Sequence, residues 1–518
     1  MDAPGEAKPQ SAPAAPSSRR GALTLMGGTL ASRVTGLVRN SLLAQFFPTA
    51  VVDAFVTAFK VPNLFRELLA EGALVSSFVP VYKRLDAAEA RRLSGAILSL
   101  LFLVNGALML AAYALAPFLA GLLIADAGHV DLELTTRLIR IVFPFLPAIS
   151  LSALAMGLLN AEERFLAPAW APVALNVVTA ALMAIFPGQA TMLAVAHVLG
   201  GLAQLLVQVP ALARAGLLPR PHIPWHSALA GVALLMVPFA VTTSGRQVVN
   251  VVASNVVTGI DAGAQGAFYL ADLFLSLGLG LFGISPALAY YSRLSAHAGR
   301  DEESFGPTLT EGIRLITFLA VPAGVGIFVF APQLVDVLYN WRSLLGQPMD
   351  AGLRAYTVEA TVPLGLAVFP LAAHALLVRT FYVRSRVGPP VAIALTALTL
   401  QGVLYYALAG PFGVTGVSAA VAIAAWVQVG LASGFVARRE GFSLRAFGRH
   451  ASGAWVAAMV AGLAGYLIVR VIAAPATWTG SLVELAVGGA AFLAAYLAAA
   501  AVLGLPEPMA AGRWLRRR

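Results

Sequence analysis

Residues 93–124, LSGAILSLLFLVNGALMLAAYALAPFLAGLLI, contain no charged side chain. A helix needs about 20 mostly apolar residues to cross the hydrocarbon of a bilayer, and this stretch exceeds that. Similar stretches follow one another almost to the end of the chain. Backbone polar groups in lipid must be satisfied internally, which leaves helices or a closed barrel. The alternating segments of about ten residues that mark a barrel are missing. The sequence therefore predicts an all-α polytopic membrane protein. Composition agrees: 11% of the residues are charged, against roughly a quarter in soluble domains.

About 14 transmembrane helices are expected, joined by short breaks such as FPGQ (186–189) and GPFG (410–413). Residues 1–20, rich in Pro, Ala and Ser, read as a disordered N-terminus. Arg19 and Arg20 superficially suggest a twin-arginine signal, but Arg33 interrupts the apolar region that follows, so residues 21–45 are expected to stay as the first helix. Lys and Arg sort strongly between the two sets of loops, 23 against 3. By the positive-inside rule both termini are then cytoplasmic. The net charge of +10 is explained by these loops, so nucleic acid is not an expected partner; membrane lipids are.

An internal repeat supports two lobes. Residues 60–85 align without gaps on 269–294, setting Phe65 over Phe274, Ser76 over Ser285, Tyr82 over Tyr291 and Arg84-Leu85 over Arg293-Leu294. APVALN (171–176) echoes PPVAIA (389–394). The expected organisation is two pseudo-symmetric six-helix lobes, 21–215 and 216–440, in parallel orientation. Residues 441–518 add two further helices and a basic cytoplasmic tail.

The informative residues are charges inside the apolar spans. The first two spans hold Arg33, Arg39, Asp53, Lys60, Arg66, Glu67 and Glu71. A charge near the bilayer centre costs roughly 2.5–3.5 kcal/mol on insertion scales. Asp53, Lys60, Glu67 and Glu71 follow at steps of 7, 7 and 4, one helical face. That face lines a cavity or a partner helix. Ion pairs between the two spans are one explanation, and capping of the second helix by Asp53 is another. A cationic cavity is a third; it favours an anionic ligand, and guanidinium forks suit phosphate oxygens. Arg246 adds a cation to the seventh span.

Other chemistry is sparse. No Walker A pattern occurs. Without cysteine, disulfides and thiolate metal sites are excluded. His222 and His226 stand four apart, but prolines interrupt the segment, and neither a metal nor a cofactor is expected there. His374 in the tenth span reads as a packing residue or a proton-coupling group.

SRVTGLVRN (32–40) and DAFVTAFKVPNLFRELLAEGALVSSFVPV (53–81) closely resemble the opening spans of the MurJ (MviN) lipid II flippase family, of the multidrug/oligosaccharidyl-lipid/polysaccharide exporter superfamily. RFLAPAWAPVALN (164–176), YLADLFLSLGLGLFGI (269–284) and FYVRSRVGPP (381–390) are similar to later family segments. The resemblance spans nearly the whole chain. It implies two six-helix lobes, with a lipid-facing groove at spans 13 and 14. It implies transport, not an enzymatic activity: movement of undecaprenyl-diphosphate-linked peptidoglycan precursor from the cytoplasmic to the periplasmic leaflet of a bacterial inner membrane by alternating access. Lipid II is then the partner, with the cell-wall synthesis machinery around it. The family's essential arginines carry over to Arg33, Arg39 and Arg66, its second-span aspartate to Asp53 and its AEG glutamate to Glu71. The chain departs from the family at Asn40, where an acid is usual, and at Leu273, where an arginine is usual. Arg386 and Pro389 replace Asp and Thr, and no acidic equivalent of a sodium ligand stands in the seventh span. Arg246 is expected to replace the charge missing at 273. The alternatives are a flippase for another polyprenyl-diphosphate glycan and a membrane-embedded glycolipid transferase.

Overall fold

The structure is a computed structural model. It describes residues 19–69, 73–223, 227–298, 302–384, 386, 388–439, 442–475 and 477–508. Glu71, His226, the basic tail from 509 and nearly all of the N-terminal segment expected to be disordered lie outside the described residues. Among the described residues all regular structure is helical. The chain forms two compact units, 10–265 and, in the main, 266–518.

The first unit contains α1 (Arg19–Phe46), α2 (Thr49–Leu69), α3 (Ala73–Tyr82), α4 (Ala87–Leu123), α5 (Leu132–Val142), α6 (Phe145–Ala161), α7 (Leu166–Ile185), α8 (Ala190–Leu206), α9 (Val209–Ala215) and α10 (Ala228–Thr258). α1 lies along α7, α7 along α8 and α8 along α6. α2 packs on α5 and α6, and α10 on α2, α3 and α4. The unit thus takes in α10, the helix expected from sequence to open the second six-helix set.

The second unit continues from the first turn of α11 (Ala264–Leu279), which passes through a π-helical turn at Gly280–Ile284 into α12 (Ser285–His297). Then come α13 (Glu302–Val329), α14 (Ala331–Tyr339), α15 (Ala351–Gly365), α16 (Val368–Val383), α17 (Gly388–Ala437), α18 (Leu444–Ile472) and α19 (Trp478–Val502). α18 and α19 pack on each other, α18 on α13 and α19 on α14.

The packing is that of a membrane protein. On α4 the small residues Ala112, Ala116 and Ala120 are buried at steps of four, while Leu110, Tyr113, Phe118 and Leu122 are exposed. α18 repeats this, burying Ala454, Ala458 and Ala461 and exposing Met459, Leu463 and Leu467. In water such faces would be an aggregation surface. In lipid there is no gain from hiding leucine, so small residues take the helix contacts and let backbones approach. At Gly28 a Cβ would stand 2.4 Å from the Ala169 carbonyl oxygen, so only glycine lets α1 lie this close to α7.

Among the described residues nine helices are long and apolar enough to cross a membrane, or ten if the bent pair α15–α16 is one span. The sequence expectation was about 14. The difference has identifiable places. Arg33, Arg39, several glycines and hydroxyl residues dilute α1, and α2 carries Asp53, Lys60, Arg66 and Glu67. Part of α10 has side chains outside the description. α17 runs through two of the expected spans.

Repeat features recur inside each unit. α5 and α6 are parted by two residues, Phe143 and Pro144, and α15 and α16 by Leu366 and Ala367, with a 45° bend. The turn between α7 and α8 uses Gly188 at φ 74°, and α17 kinks at Gly413, φ 56° and ψ −139°. Both expected tight breaks therefore turn on a glycine in a conformation that L side chains rarely adopt.

Candidate functional site

In the first unit three polar groups hold Arg39, Arg66 and Asp53, one on α1 and two on α2. On α1, Arg39 is half-buried and held by amide oxygens alone. Its Nη1 donates to Asn176 Oδ1 on α7 at 3.1 Å. Its Nε and Nη2 donate to Asn40 Oδ1 at 3.3 and 3.1 Å. Asn176 is fixed in turn, because its Nδ2 donates to the Ser32 carbonyl at 3.0 Å and to Thr35 Oγ1 at 3.3 Å. That orientation presents Oδ1, not Nδ2, to the guanidinium. Asn40 is buried and stands where the family resemblance leads one to expect an acid. Among the described residues no carboxylate pairs with Arg39. The cradle sets the direction of the guanidinium and leaves its charge uncompensated.

Arg33 lies six residues earlier on α1 and is partly buried. None of the described residues bonds its guanidinium. Among the described residues no ion pair between the first two spans accounts for Arg33 or Arg39.

The second group joins α2 to α10. Arg66 Nε donates to Asn63 Oδ1 at 2.9 Å, and Asn63 Nδ2 donates to Glu67 Oε1 at 3.0 Å. Gln247 on α10 donates from Nε2 to Glu67 Oε2, and Asn250 Nδ2 donates to Gln247 Oε1 at 3.4 Å. Three residues separate Arg66 from Asn63 and four separate Asn63 from Glu67, the spacings that bring helical side chains together. Both oxygens of Glu67 are engaged by neutral amides. Gln247 is buried, while Arg246, the residue before it, is exposed, and no described residue bonds it.

The third group is Asp53, with no exposed surface. It sits in the second turn of α2, and its Oδ2 accepts from the Gly263 backbone N–H at 2.5 Å. Gly263 holds φ 89° at the end of the loop after α10. Asp53 therefore ties α2 to the exit of α10, a contact distinct from the helix capping considered on sequence. Beside these groups, His197 of α8 has its ring centroid 4.6 Å from Phe55 and 5.2 Å from Phe59 of α2. Its Nδ1 donates to the Leu193 carbonyl at 2.9 Å.

Of the six expected site residues, the structure gives Arg39, Arg66 and Asp53 defined partners and leaves the guanidiniums of Arg33 and Arg246 without one among the described residues. Glu71 lies outside the description. Sequence reasoning did not single out Asn176, Asn63 or Asn250. The signal was there: a lone primary amide in an apolar span, as in APVALN, has to find a partner once in lipid. Asn40 drew notice only as a departure. Among the described residues no group of His, Asp and Glu is arranged to hold a metal ion.

The second unit carries polar ties of its own. Arg354 on α15 forks onto Asp336 of α14, Nε to Oδ1 at 2.5 Å and Nη2 to Oδ2 at 2.7 Å. Ser481 of α19 donates to Asp336 Oδ2 at 3.0 Å. Leu273, at the expected arginine position, is partly buried on α11.

Comparison with known proteins agrees with the opening resemblance. The family described as Lipid II flippase MurJ matches residues 43–488. The Lipid II flippase MurJ of Burkholderia cenocepacia is 30% identical over 424 residues, covering 78% of this chain and 81% of that protein. A probable lipid II flippase MurJ of Vibrio cholerae is 31% identical, covering 78% and 80%. Among solved structures, a lipid II flippase MurJ in an inward closed conformation superposes with a TM-score of 0.77 at 19% identity, over 93% of this chain and 99% of that one. An inward-facing multidrug resistance MATE family transporter of the MOP superfamily reaches 0.62 at 16% identity, over 81% and 94%. The two last likenesses speak for the fold. With the family match covering most of the sequence and ten helices of crossing length at most among the described residues, the chain belongs to the lipid II flippase MurJ family of multi-pass bacterial membrane proteins.

Proposed function

We propose that this protein is a lipid II flippase that carries the polyprenyl-diphosphate-linked peptidoglycan precursor from the cytoplasmic to the periplasmic leaflet by alternating access. The observation that carries the reading is the cradle of Arg39. A guanidinium aimed by two neutral amides keeps its full charge for an anion. In a low-dielectric setting that charge favours a diphosphate more strongly than an exposed arginine does. Arg33 and Arg66 contribute further cationic contacts. Asp53 orients α2, Glu71 belongs to the site as the family's AEG glutamate, and Arg246 supplies the charge that Leu273 lacks. The names of the relatives support lipid II as the cargo.

The protein acts as a transporter and makes or breaks no covalent bond in its cargo. It sits in the inner membrane with both termini in the cytoplasm, in keeping with the distribution of Lys and Arg among its loops. Enzymes that make and consume the carried lipid are its partners. An inside-negative potential assists export, by roughly 2.3 kcal/mol per 100 mV for each negative charge moved outward.

The test is complementation of a bacterium depleted of its lipid II flippase. The wild-type chain restores growth, and Arg33→Ala, Arg39→Ala and Arg66→Ala do not, at equal membrane abundance. Growth restored by the triple variant refutes the arginine site. Failure of the wild-type chain, with the protein folded in the membrane, refutes the cargo. Arg246→Ala tests the replacement charge, and unchanged flipping overturns that role.

A further inference from the structure

The sequence repeat assigns α10 to the second lobe, yet its packing partners are α2, α3 and α4 of the first unit. It is fastened to them from start to end. Near its start, Leu229 and Val232 are buried in one core with Leu74 and Phe78 of α3 and Leu93 and Ile97 of α4. The connection that leads into α10 is also laid on α4. There the His222 backbone N–H donates to the Gly95 carbonyl at 3.2 Å and to Ser99 Oγ at 3.1 Å. A Cβ at position 95 would stand 2.2 Å from the Arg220 carbonyl oxygen, so glycine is what admits the connection. Midway, Gln247 donates to Glu67 of α2.

The far end of α10 is held by hydrogen bonds that α4 itself needs. The last carbonyls of a helix have no donor within it. Thr258 Oγ1 reaches the Leu123 carbonyl at 3.1 Å and accepts from the Ala125 N–H at 3.0 Å, and Asn255 Nδ2 donates to the Leu122 carbonyl at 3.2 Å. The end of α10 thus caps the end of α4. Just beyond, Asp53 of α2 holds the Gly263 N–H. The next turn is held less well. Gln265, in the first turn of α11, is buried, and neither its Nε2 nor its Oε1 has a hydrogen-bond partner among the described residues. An amide buried in this way loses its bonds to water and gains none in return. Gly263, at φ 89°, and Gly266 flank it, and the boundary between the two compact units falls after Gln265.

We propose, on the alternating-access reading given above, that α10 travels with the first unit throughout the transport cycle. The chain then pivots in the first turn of α11, around Gln265, and not in the connection 216–227 that precedes α10. Pivots of this kind are a few residues at the end of an element that absorb the change in backbone angles. Arg246 becomes part of the same rigid body as Arg33, Arg39 and Arg66, so the spacing of these four cations stays constant while cargo moves.

The chain has no cysteine of its own, so an engineered pair supplies the only thiols. A Cβ built at Gly259 stands 3.2 Å from the Ala125 Cβ, close to the separation that a disulfide spans. Ala125→Cys combined with Gly259→Cys therefore locks the end of α10 to the end of α4 on oxidation. Lipid II movement in proteoliposomes is read before oxidation, after it, and again after reduction. The expected rate is the same in all three. Movement lost on oxidation and restored on reduction overturns the proposal, because α10 then has to leave α4. A second measurement needs no cargo. Spin labels on Leu103→Cys of α4 and Val248→Cys of α10, both exposed positions, report the distance between the two helices. The expected result is one narrow distance in detergent and in bilayers, with and without lipid II. Two distances, or one that shifts between conditions, overturn the proposal. Wild-type protein that moves no lipid II refutes the cargo, and the label distance still decides to which unit α10 belongs. It decides equally if the reduced double-cysteine protein fails to fold or to move lipid II.

Discussion

Replacing Asn176 with aspartate would turn the neutral cradle of Arg39 into an ion pair. The carboxylate would stand where Oδ1 now meets Arg39 Nη1 at 3.1 Å. Two unit charges about 4 Å apart attract by roughly 4 kcal/mol at an effective dielectric near 20. If a third of that has to be given up when a diphosphate engages Arg39, binding weakens by about 1.4 kcal/mol, or about tenfold. The substitution also removes the two bonds that Nδ2 donates to Ser32 and Thr35. Asn176→Leu removes the same two bonds, and with them the oxygen that Arg39 Nη1 meets, without adding charge, so the difference between the two variants reports what the carboxylate does to Arg39. The assay is the concentration dependence of lipid II movement in proteoliposomes, beside the melting temperature of each variant. Asn176→Asp raises the half-saturating lipid concentration about tenfold beyond Asn176→Leu. Equal behaviour of the two variants refutes the electrostatic role and leaves Asn176 a packing residue.

The other predictions concern the frame that holds these groups. Gln247→Leu leaves Glu67 Oε2 without its amide donor and lowers stability by about 1.5–3 kcal/mol, the range for a bond to a charged group; thermal melting in detergent measures it. Asp336→Asn breaks the Arg354 fork that joins α14 to α15. Loss of one partner of a buried pair typically costs about 3–5 kcal/mol, and the partial exposure of Arg354 brings the expected figure to about 2–3 kcal/mol. Gly28→Ala sets a methyl against the Ala169 carbonyl at 2.4 Å, forcing α1 off α7. A crosslink between cysteines engineered on these two helices forms more slowly in that variant.

Much of the fold was legible in the sequence, because lipid imposes a simple rule: long uncharged runs become helices. The breaks at Gly188 and Gly413 followed from the same reading. The number of spans was harder. Charged α1 and α2 are less apolar than the other spans, and α17 joins two of the expected spans across the kink at Gly413. The unit to which α10 belongs was not legible, since packing partners leave no periodic trace. The candidate site was legible in its charges and illegible in its partners. Arg39 stands out in an apolar helix, but nothing local points to Asn176, 137 residues away. Asn63 and Gln247 are similar cases, ordinary amides whose meaning depends on Glu67 lying between them. Asp53 drew attention as a charge, whereas its partner is a backbone N–H of Gly263, which no side-chain pattern reveals.

The most direct test of the central claim is transbilayer movement of lipid II by the purified protein in proteoliposomes, read as protection of a labelled headgroup from an external quencher or enzyme. Wild-type protein moves lipid II with both leaflets reaching the same label, and Arg39→Ala, folded and inserted equally well, moves it at least about tenfold more slowly. Lipid II that crosses no faster with the wild-type protein than in protein-free liposomes, or as fast with Arg39→Ala as with wild type, contradicts the claim.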